Sequence, residues 1–278
     1  MSPQISQTGA DCFQKPVFIG ENPRNLRTEQ MILLFDIGNT HSHIGLADDR
    51  RVLKQTDIPT LTWFGGGAAA LVKKLAGKNK ITGAVLCSVV PRATPLVCKT
   101  VRRHWKINAL ELNAGTTRGV GIDYPEPDSI GPDRLANAVA ARHRFGAPVV
   151  VVDFGTAVTF DVVDALGNYV GGIIAPGLAV MTDYLHEKTA LLPKIKIREI
   201  KSIIGRSTEE AMLVGAVHGY RGLVRELIAE LKRELDAKNL PVVATGGYAK
   251  LIAAKLPEIS AVAPDLTLEG LRLVWQAK

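Results

Sequence analysis

Leu33-Leu34-Phe35-Asp36-Ile37-Gly38-Asn39-Thr40 and Val151-Val152-Asp153-Phe154-Gly155-Thr156-Ala157 decide how the chain is read. In each, an apolar run of strand length ends in Asp, then one apolar residue, then Gly, then small hydroxyl or amide residues. Apolar segments return beyond both turns, at Ile44-Gly45-Leu46-Ala47 and at Thr159-Phe160-Asp161-Val162-Val163. Two strands meeting at a tight turn make a β-hairpin, with Gly supplying backbone freedom. The second aspartate follows the first by 117 positions, about the length of one small domain. An internal duplication of two α/β domains is the economical reading, each presenting an Asp-Gly-hydroxyl turn to a shared cleft.

Such turns suit phosphate. Gly lets a backbone N–H approach closely, and Asn39, Thr40 and Thr156 add side-chain donors. Carboxylates repel phosphate, so Asp36 and Asp153 are expected to hold a cation or its water shell, which bridges to phosphate oxygens. A lone Asp-x-Gly turn means only a hairpin; the matched pair carries the inference.

Composition narrows the class. With 278 residues, 46% hydrophobic and 22% charged, the chain suits a globular protein of about two domains. The net charge of +7 favours anionic ligands, but no Lys/Arg block interleaved with aromatics points to nucleic acid. Cys12, Cys87 and Cys98 are too few and scattered for a disulfide framework or zinc site. A reducing, cytoplasmic compartment is expected. No run approaches the ~18 apolar residues of a membrane span.

Residues 1–30 are polar and turn-rich, and read as a disordered leader before a start at Met31. The expected domains are 31–147 and 148–278. Arg51–Gln55 reads as a third antiparallel strand, Trp63–Leu75 as a helix, Ile81–Val90 as a buried strand, Thr94–Trp105 as a helix and Asn108–Leu112 as a short strand. His104 reads as a cap and surface residue beside the helix end. Gly131 and Pro132 then announce another helix, with Leu135, Val139 and the intervening alanines as its apolar face. Asp133 suits the dipole of its first turn, whereas Arg134 opposes it. Arg134 is therefore expected to face an anion, with an ordinary surface salt bridge as the alternative. Gly167-Asn168 reads as a hairpin turn, and Gly171–Gly177 leads into a helix through Met181 and Leu185. Ser207-Thr208-Glu209-Glu210 reads as a capping box opening one long helix, so Thr208 could simply begin it. Pro241–Thr245, a Gly246-Gly247 turn and a helix from Tyr248 offer backbone for a nucleotide. Leu266–Leu271 is expected to precede a closing helix.

Taken together, Asp36-x-Gly38-Asn39-Thr40, Gly131-x-Asp133-Arg134, Asp153-x-Gly155-Thr156-Ala157, Gly171-Gly172-x-Ile174-x-Pro176-Gly177, Thr208-x-x-Ala211-x-x-x-Gly215, Thr245-Gly246-Gly247 and the final Leu-x-Leu-x-Gly-Leu resemble the type III pantothenate kinases. That family belongs to the acetate and sugar kinase, Hsp70 and actin superfamily. The motifs run in family order from Met31 nearly to the C-terminus. The resemblance implies an α/β fold of two duplicated actin-like (ribonuclease H-like) domains with a nucleotide cleft between them. It implies ATP-dependent phosphorylation of pantothenate, the first step toward coenzyme A, by a homodimer.

Residue by residue, the resemblance puts the ATP phosphates on Asp36, Ile37, Gly38, Asn39, Thr40, His41, Ser42 and His43, with a further ATP contact at Thr156. It makes Asp133 the proton acceptor and places pantothenate against Gly131, Pro132, Asp133, Arg134, Tyr124 and Thr208. Asp153 becomes the ligand of a monovalent cation (potassium or ammonium), and magnesium accompanies ATP. After Tyr124 the chain has Pro-Glu-Pro where the family more often has Asp-Asn-Pro. An ordinary Asp pKa near ~3.9 leads us to expect Asp133 ionised at neutral pH and able to take a hydroxyl proton. Arg134 is expected to pair with the pantothenate carboxylate or with transferring charge. Two other functions fit the turns: hydrolysis of a phosphate chain, against which Gly131-x-Asp133-Arg134 argues, and a non-catalytic regulator, whose mark would be degenerated motifs.

Overall fold

The computed structural model describes residues 30–278; the expected leader lies, but for residue 30, outside the described residues. Strand β1 (Met31–Ile37) runs into the first Asp-Gly turn and returns as β2 (His41–Ala47), followed by β3 (Val52–Pro59). Helix α1 (Ala68–Ala76), β4 (Ile81–Ser88), α2 (Thr94–Trp105) and the short β5 (Leu110–Glu111) complete this sheet, in the order β3-β2-β1-β4-β5. Its first three strands are antiparallel, and β4 and β5 join in parallel.

After β6 (Gly121–Ile122) and α3 (Pro132–Phe145), the pattern repeats. Strands β7 (Val149–Phe154), β8 (Ala157–Val163) and β9 (Asn168–Pro176) form an antiparallel set, followed by α4 (Leu178–Lys188). Next come α5 (Thr208–Val214), α6 (Tyr220–Glu234), β10 (Val242–Thr245), α7 (Ala249–Ala253), β11 (Ala261–Val262) and α8 (Leu266–Gln276). Here the order is β11-β10-β7-β8-β9-β6, with β10 parallel to β7 and β11 parallel to β10. Leaving aside β6 at one edge, the two sheets share one topology. This is the duplicated actin-like architecture.

Alternation along the strands explains the layers. Ile32 and Leu34 face one apolar cluster while Leu33, Phe35 and Ile37 face another. Val149 and Val151 face the first of these, and Val150 and Val152 face a third. The shared cluster contains α3 and α8, so these two helices are packed between the sheets. That position accounts for the composition of α3. Every residue from Leu135 to Ala141 is buried, as befits a helix apolar nearly all round, and its alanines permit close approach.

Three expectations need correction. The helix expected over Trp63–Leu75 is a short 3₁₀ turn at Thr60–Trp63 and then α1, because three consecutive glycines separate them. The single long helix after Ser207 contains a π turn at Gly215–Gly219 between α5 and α6. Leu266–Leu271 does not precede the closing helix but forms its first turns. In the capping box, Ser207 Oγ accepts from Glu210 N at 3.2 Å, while Glu210 reaches past it to Arg206 N at 2.8 Å.

Candidate active site

The first turn is braced from behind. Gly38 N donates to His41 O at 3.0 Å, and Thr60 Oγ1 donates to Gly38 O at 2.7 Å. Thr60 Oγ1 also lies 3.0 Å from Ser42 Oγ, which accepts from Trp63 Nε1 at 3.1 Å. Ser42 is wholly buried, so within the expected phosphate segment its hydroxyl supports the turn while Asn39, Thr40 and His41 are the exposed members. His43 Nδ1 sits 2.7 Å from Asp57 Oδ1. Burial alone would lower the His43 pKa, but Asp36 and Asp57 outweigh it and the net shift is upward.

The second turn closes with Gly155 N donating to Ala157 O at 3.0 Å. The tips of the two turns meet: Thr40 Oγ1 and Thr156 Oγ1 are 3.0 Å apart. Residues 116 positions apart in sequence thus form one hydroxyl-lined point.

Three carboxylates share this region. Burial pushes Asp36 up to about 7, with repulsion from Asp133 and Asp153 adding to it and His43 and a Cys87 hydrogen bond opposing. Burial pushes Asp153 up to about 6, against a hydrogen bond from Asn137. Asp133 is also raised by burial, although the backbone N–H and charge of Arg134 pull it back. The expectation of an ordinary Asp133 pKa is therefore corrected, because the sequence did not reveal how far the carboxyl is shielded from water. A concentration of shielded, mutually repelling carboxylates fits a bound cation. Among the described residues no three His, Cys, Asp or Glu side chains converge as a metal cage. A cation here would take its other ligands from phosphate, water or backbone oxygen.

Helix α3 brings Asp133 and Arg134 to the cleft. Arg134 N donates to Asp133 Oδ1 at 2.9 Å. A Cβ on Gly131 would lie 2.6 Å from that same oxygen, so the carboxyl folds over the glycine and would have to shift to admit a side chain there. Arg134 does face an anion, but it is one of the chain's own. Its Nε donates to Asp161 Oδ1 at 2.5 Å, and its Nη2 donates to the Phe160 carbonyl at 3.0 Å. The guanidinium also lies over the Tyr169 ring, 5.7 Å from its centroid. Tyr169 meets Tyr124 edge-on at 6.1 Å, which places Tyr124 on the same wall. Asp161 Oδ2 and the Tyr169 hydroxyl are buried without a hydrogen-bond partner among the described residues.

Thr208 stands apart. It opens α5 in an exposed position, with no hydrogen bond to Asp133, Arg134 or Tyr124. Four buried or half-buried residues escaped the sequence reading: Asp161, Asn137, Cys87 and Thr267. Asn137 carried a signal, as a polar residue within the alanine face one turn beyond Asp133. Asp161 carried another, as a charge inside an apolar strand. Two cavities of about 600 and 510 Å³ lie elsewhere, one beside Arg118, Arg142 and Leu273 and one beside Lys201, His218 and Arg225. Neither contains a residue of the two turns or the start of α3.

A family model described as type III pantothenate kinase matches residues 32–230. A type III pantothenate kinase of Akkermansia muciniphila is 48% identical over 243 residues, covering 87% of this chain and 96% of that protein. One of Methylacidiphilum infernorum is 43% identical over 246 residues, covering 88% of each. Among solved structures, ethanolamine utilization protein EutJ of Carboxydothermus hydrogenoformans is similar with a TM-score of 0.52 at 15% identity, over 87% of this chain and 89% of that one. At that identity the likeness speaks to fold alone.

Proposed function

This chain belongs to the type III pantothenate kinase family, and from that premise we propose how its cleft performs the reaction. The activity is ATP-dependent phosphorylation of pantothenate on the route to coenzyme A. The observation that carries our assignment of the site is the Thr40–Thr156 contact, 3.0 Å between hydroxyls from two separate sheets. It gathers two sets of turn donors where a chain of phosphates would lie, with the start of α3 alongside.

In our reading the turn through Asp36, Ile37, Gly38, Asn39, Thr40, His41, Ser42 and His43 receives the ATP phosphates, Thr40 and Thr156 as hydroxyl donors and Ser42 as internal brace. Pantothenate lies against Tyr124 and the Gly131–Arg134 segment. The bond that forms joins its primary hydroxyl oxygen to the γ-phosphorus, and the bond that breaks is the bridge to ADP. The hydroxyl proton passes to Asp133. Burial favours this assignment, since a base is most effective with a pKa drawn toward the working pH. Arg134, held by Asp161, fixes the approach of the substrate wall. Magnesium and a monovalent cation, the latter on Asp153, would supply charge compensation for the phosphates.

We assign residues 31–147 and 148–278 as the two bodies whose closure excludes water. A homodimer is supported by exposed apolar side chains, Val180, Met181, Tyr184 and Leu185 on α4 and Leu191, Ile203 and Ile204 in the segment after it. Thr208 follows these residues closely in sequence, and in the proposed dimer it serves the partner's site; sedimentation as a monomer at micromolar concentration would refute the pairing. Among the described residues no helix is long and apolar enough to cross a membrane. Cys87 and Cys98 are free thiols, which supports a reducing cytoplasm.

The test is phosphopantothenate formation from ATP and pantothenate, with and without potassium, beside Asp133→Asn. Potassium-stimulated product is expected, with the variant lowered by ~10²–10⁴. A fully active variant would remove Asp133 as the base.

A further inference from the structure

Asn137 is 1% exposed in a helix segment otherwise made of Leu, Ala and Val. It lies four residues beyond Asp133, on the same face of α3. A buried amide is costly unless both its ends are paired. Both are. Nδ2 donates to Asp153 Oδ2 at 3.2 Å, and Oδ1 accepts from Thr267 Oγ1 at 2.8 Å. An ionised carboxylate can only accept, so the amide must turn its nitrogen toward Asp153, and the Thr267 hydroxyl satisfies the oxygen that is left.

The arrangement joins three elements at one point: α3, which carries Asp133; β7, which carries Asp153; and α8, which carries Thr267. Among the described residues the other aspartate has no equivalent: Asp36 receives only the Cys87 thiol, at 3.4 Å, and a thiol is a weak donor. The two duplicated aspartates are thus held unequally. Asp153 is fixed by an amide that is itself anchored, whereas Asp36 is held by a soft contact.

We propose that Asn137, locked by Thr267, is a positioning residue that fixes the Asp153 carboxylate for its cation and sets its separation from Asp133. By occupying one side of Oδ2, it selects one orientation of the carboxylate and leaves the other lone pairs for the ion. The inference rests on the assignment of Asp153 to the cation. Groups that orient ligands in this way are typically worth ~10–100-fold in metal affinity.

The experiment is the rise in thermal midpoint of the whole protein with added KCl. It is read in the presence of a non-hydrolysable ATP analogue, with tetramethylammonium chloride holding ionic strength constant. Wild type, Asn137→Ala, Thr267→Val, Thr267→Ser and Asp153→Asn are compared. Asn137→Ala is expected to need ~10-fold more KCl for the half-maximal rise. Thr267→Val, which keeps shape but loses the hydroxyl, should fall between it and wild type, and Thr267→Ser should restore the wild-type response. A structural role alone would lower the midpoint in every salt and leave the KCl dependence unmoved, which would overturn the proposal. Should Asn137→Ala fail to fold, the Thr267 pair decides the matter in the same way. If Asp153→Asn retains the full KCl response, or if wild type shows none, the cation assignment falls and the proposal with it. If Asp153→Asn alone loses the response, only the positioning role is refuted.

Discussion

Arg134 occupies the first turn of a helix, where the aligned peptide dipoles disfavour a cation. That conflict is visible in the sequence, and so is its remedy, a nearby anion. What the sequence conceals is the identity of the anion, because Asp161 is 27 positions away on another element. Its carboxylate is fully buried and the Arg134 side chain is 13% exposed, so neither charge can return to water if the other is lost. Removing one partner of such a pair costs about 3–5 kcal/mol. Asp161→Asn keeps the size but not the charge, and is expected to lower the urea midpoint by an amount equivalent to roughly 3 kcal/mol. It should also raise the KM for pantothenate more than that for ATP, since Arg134 borders Tyr124 and Tyr169 rather than the two turns. Unchanged stability, or equal changes in both KM values, would count against the assignment. The same burial explains why Asp133 was misjudged from sequence: residue type gives an intrinsic pKa, but shielding is a property of what folds over it.

Helices α3 and α8 show what an element's sequence can and cannot say. The capping of α3 was legible because Pro132 and Gly131 act locally. Its all-round burial was not, since an alanine-rich helix reads equally well as a surface helix with one shallow apolar face. The motif near the C-terminus gave a different difficulty. Gly270 falls in the stretch expected to precede the closing helix, yet it lies inside α8, where a Cβ would come 2.0 Å from the Ala136 carbonyl oxygen of α3. The glycine permits contact between two backbones. Gly270→Ala sets two effects against each other, a gain of about 1 kcal/mol in helix propensity and an overpacking cost of about 1–3 kcal/mol. A backbone carbonyl cannot swing aside as a side chain can, so overpacking is expected to win and the thermal midpoint to fall. Because Ala136 adjoins Asn137, kcat should fall as well. A midpoint equal to or above that of wild type would show that the helices can separate freely.

At the scale of the molecule, the duplication was legible because each copy states its pattern locally, as an apolar run, an Asp-x-Gly turn and a return strand. The meeting of the copies was not, for Thr40 and Thr156 are brought together by the packing of both sheets around α3 and α8. That packing also gathers charge, with a consequence for the whole fold in the absence of ligands. Asp36 and Asp153 have pKa values of about 7 and 6 when folded, against about 3.9 for an exposed Asp in the unfolded chain. Between these limits the native state binds more protons than the unfolded state, so stability must fall as pH rises. The upward shift of His43 acts in the same direction, since its extra stability is also lost as pH rises through its folded pKa. The ligand-free protein is therefore expected to show a higher urea midpoint near pH 5.5 than near pH 8, with most of the decline complete once Asp36 has ionised. Asp36→Asn removes the largest contributor and should flatten the decline while raising stability at the alkaline end. Saturating ATP with magnesium and potassium should flatten it in the wild type too, because bound cations favour the ionised carboxylates. A midpoint that climbs steadily from pH 5.5 to 8 would mean that water already reaches these carboxylates, and that the cleft holds no unspent charge for a cation to meet.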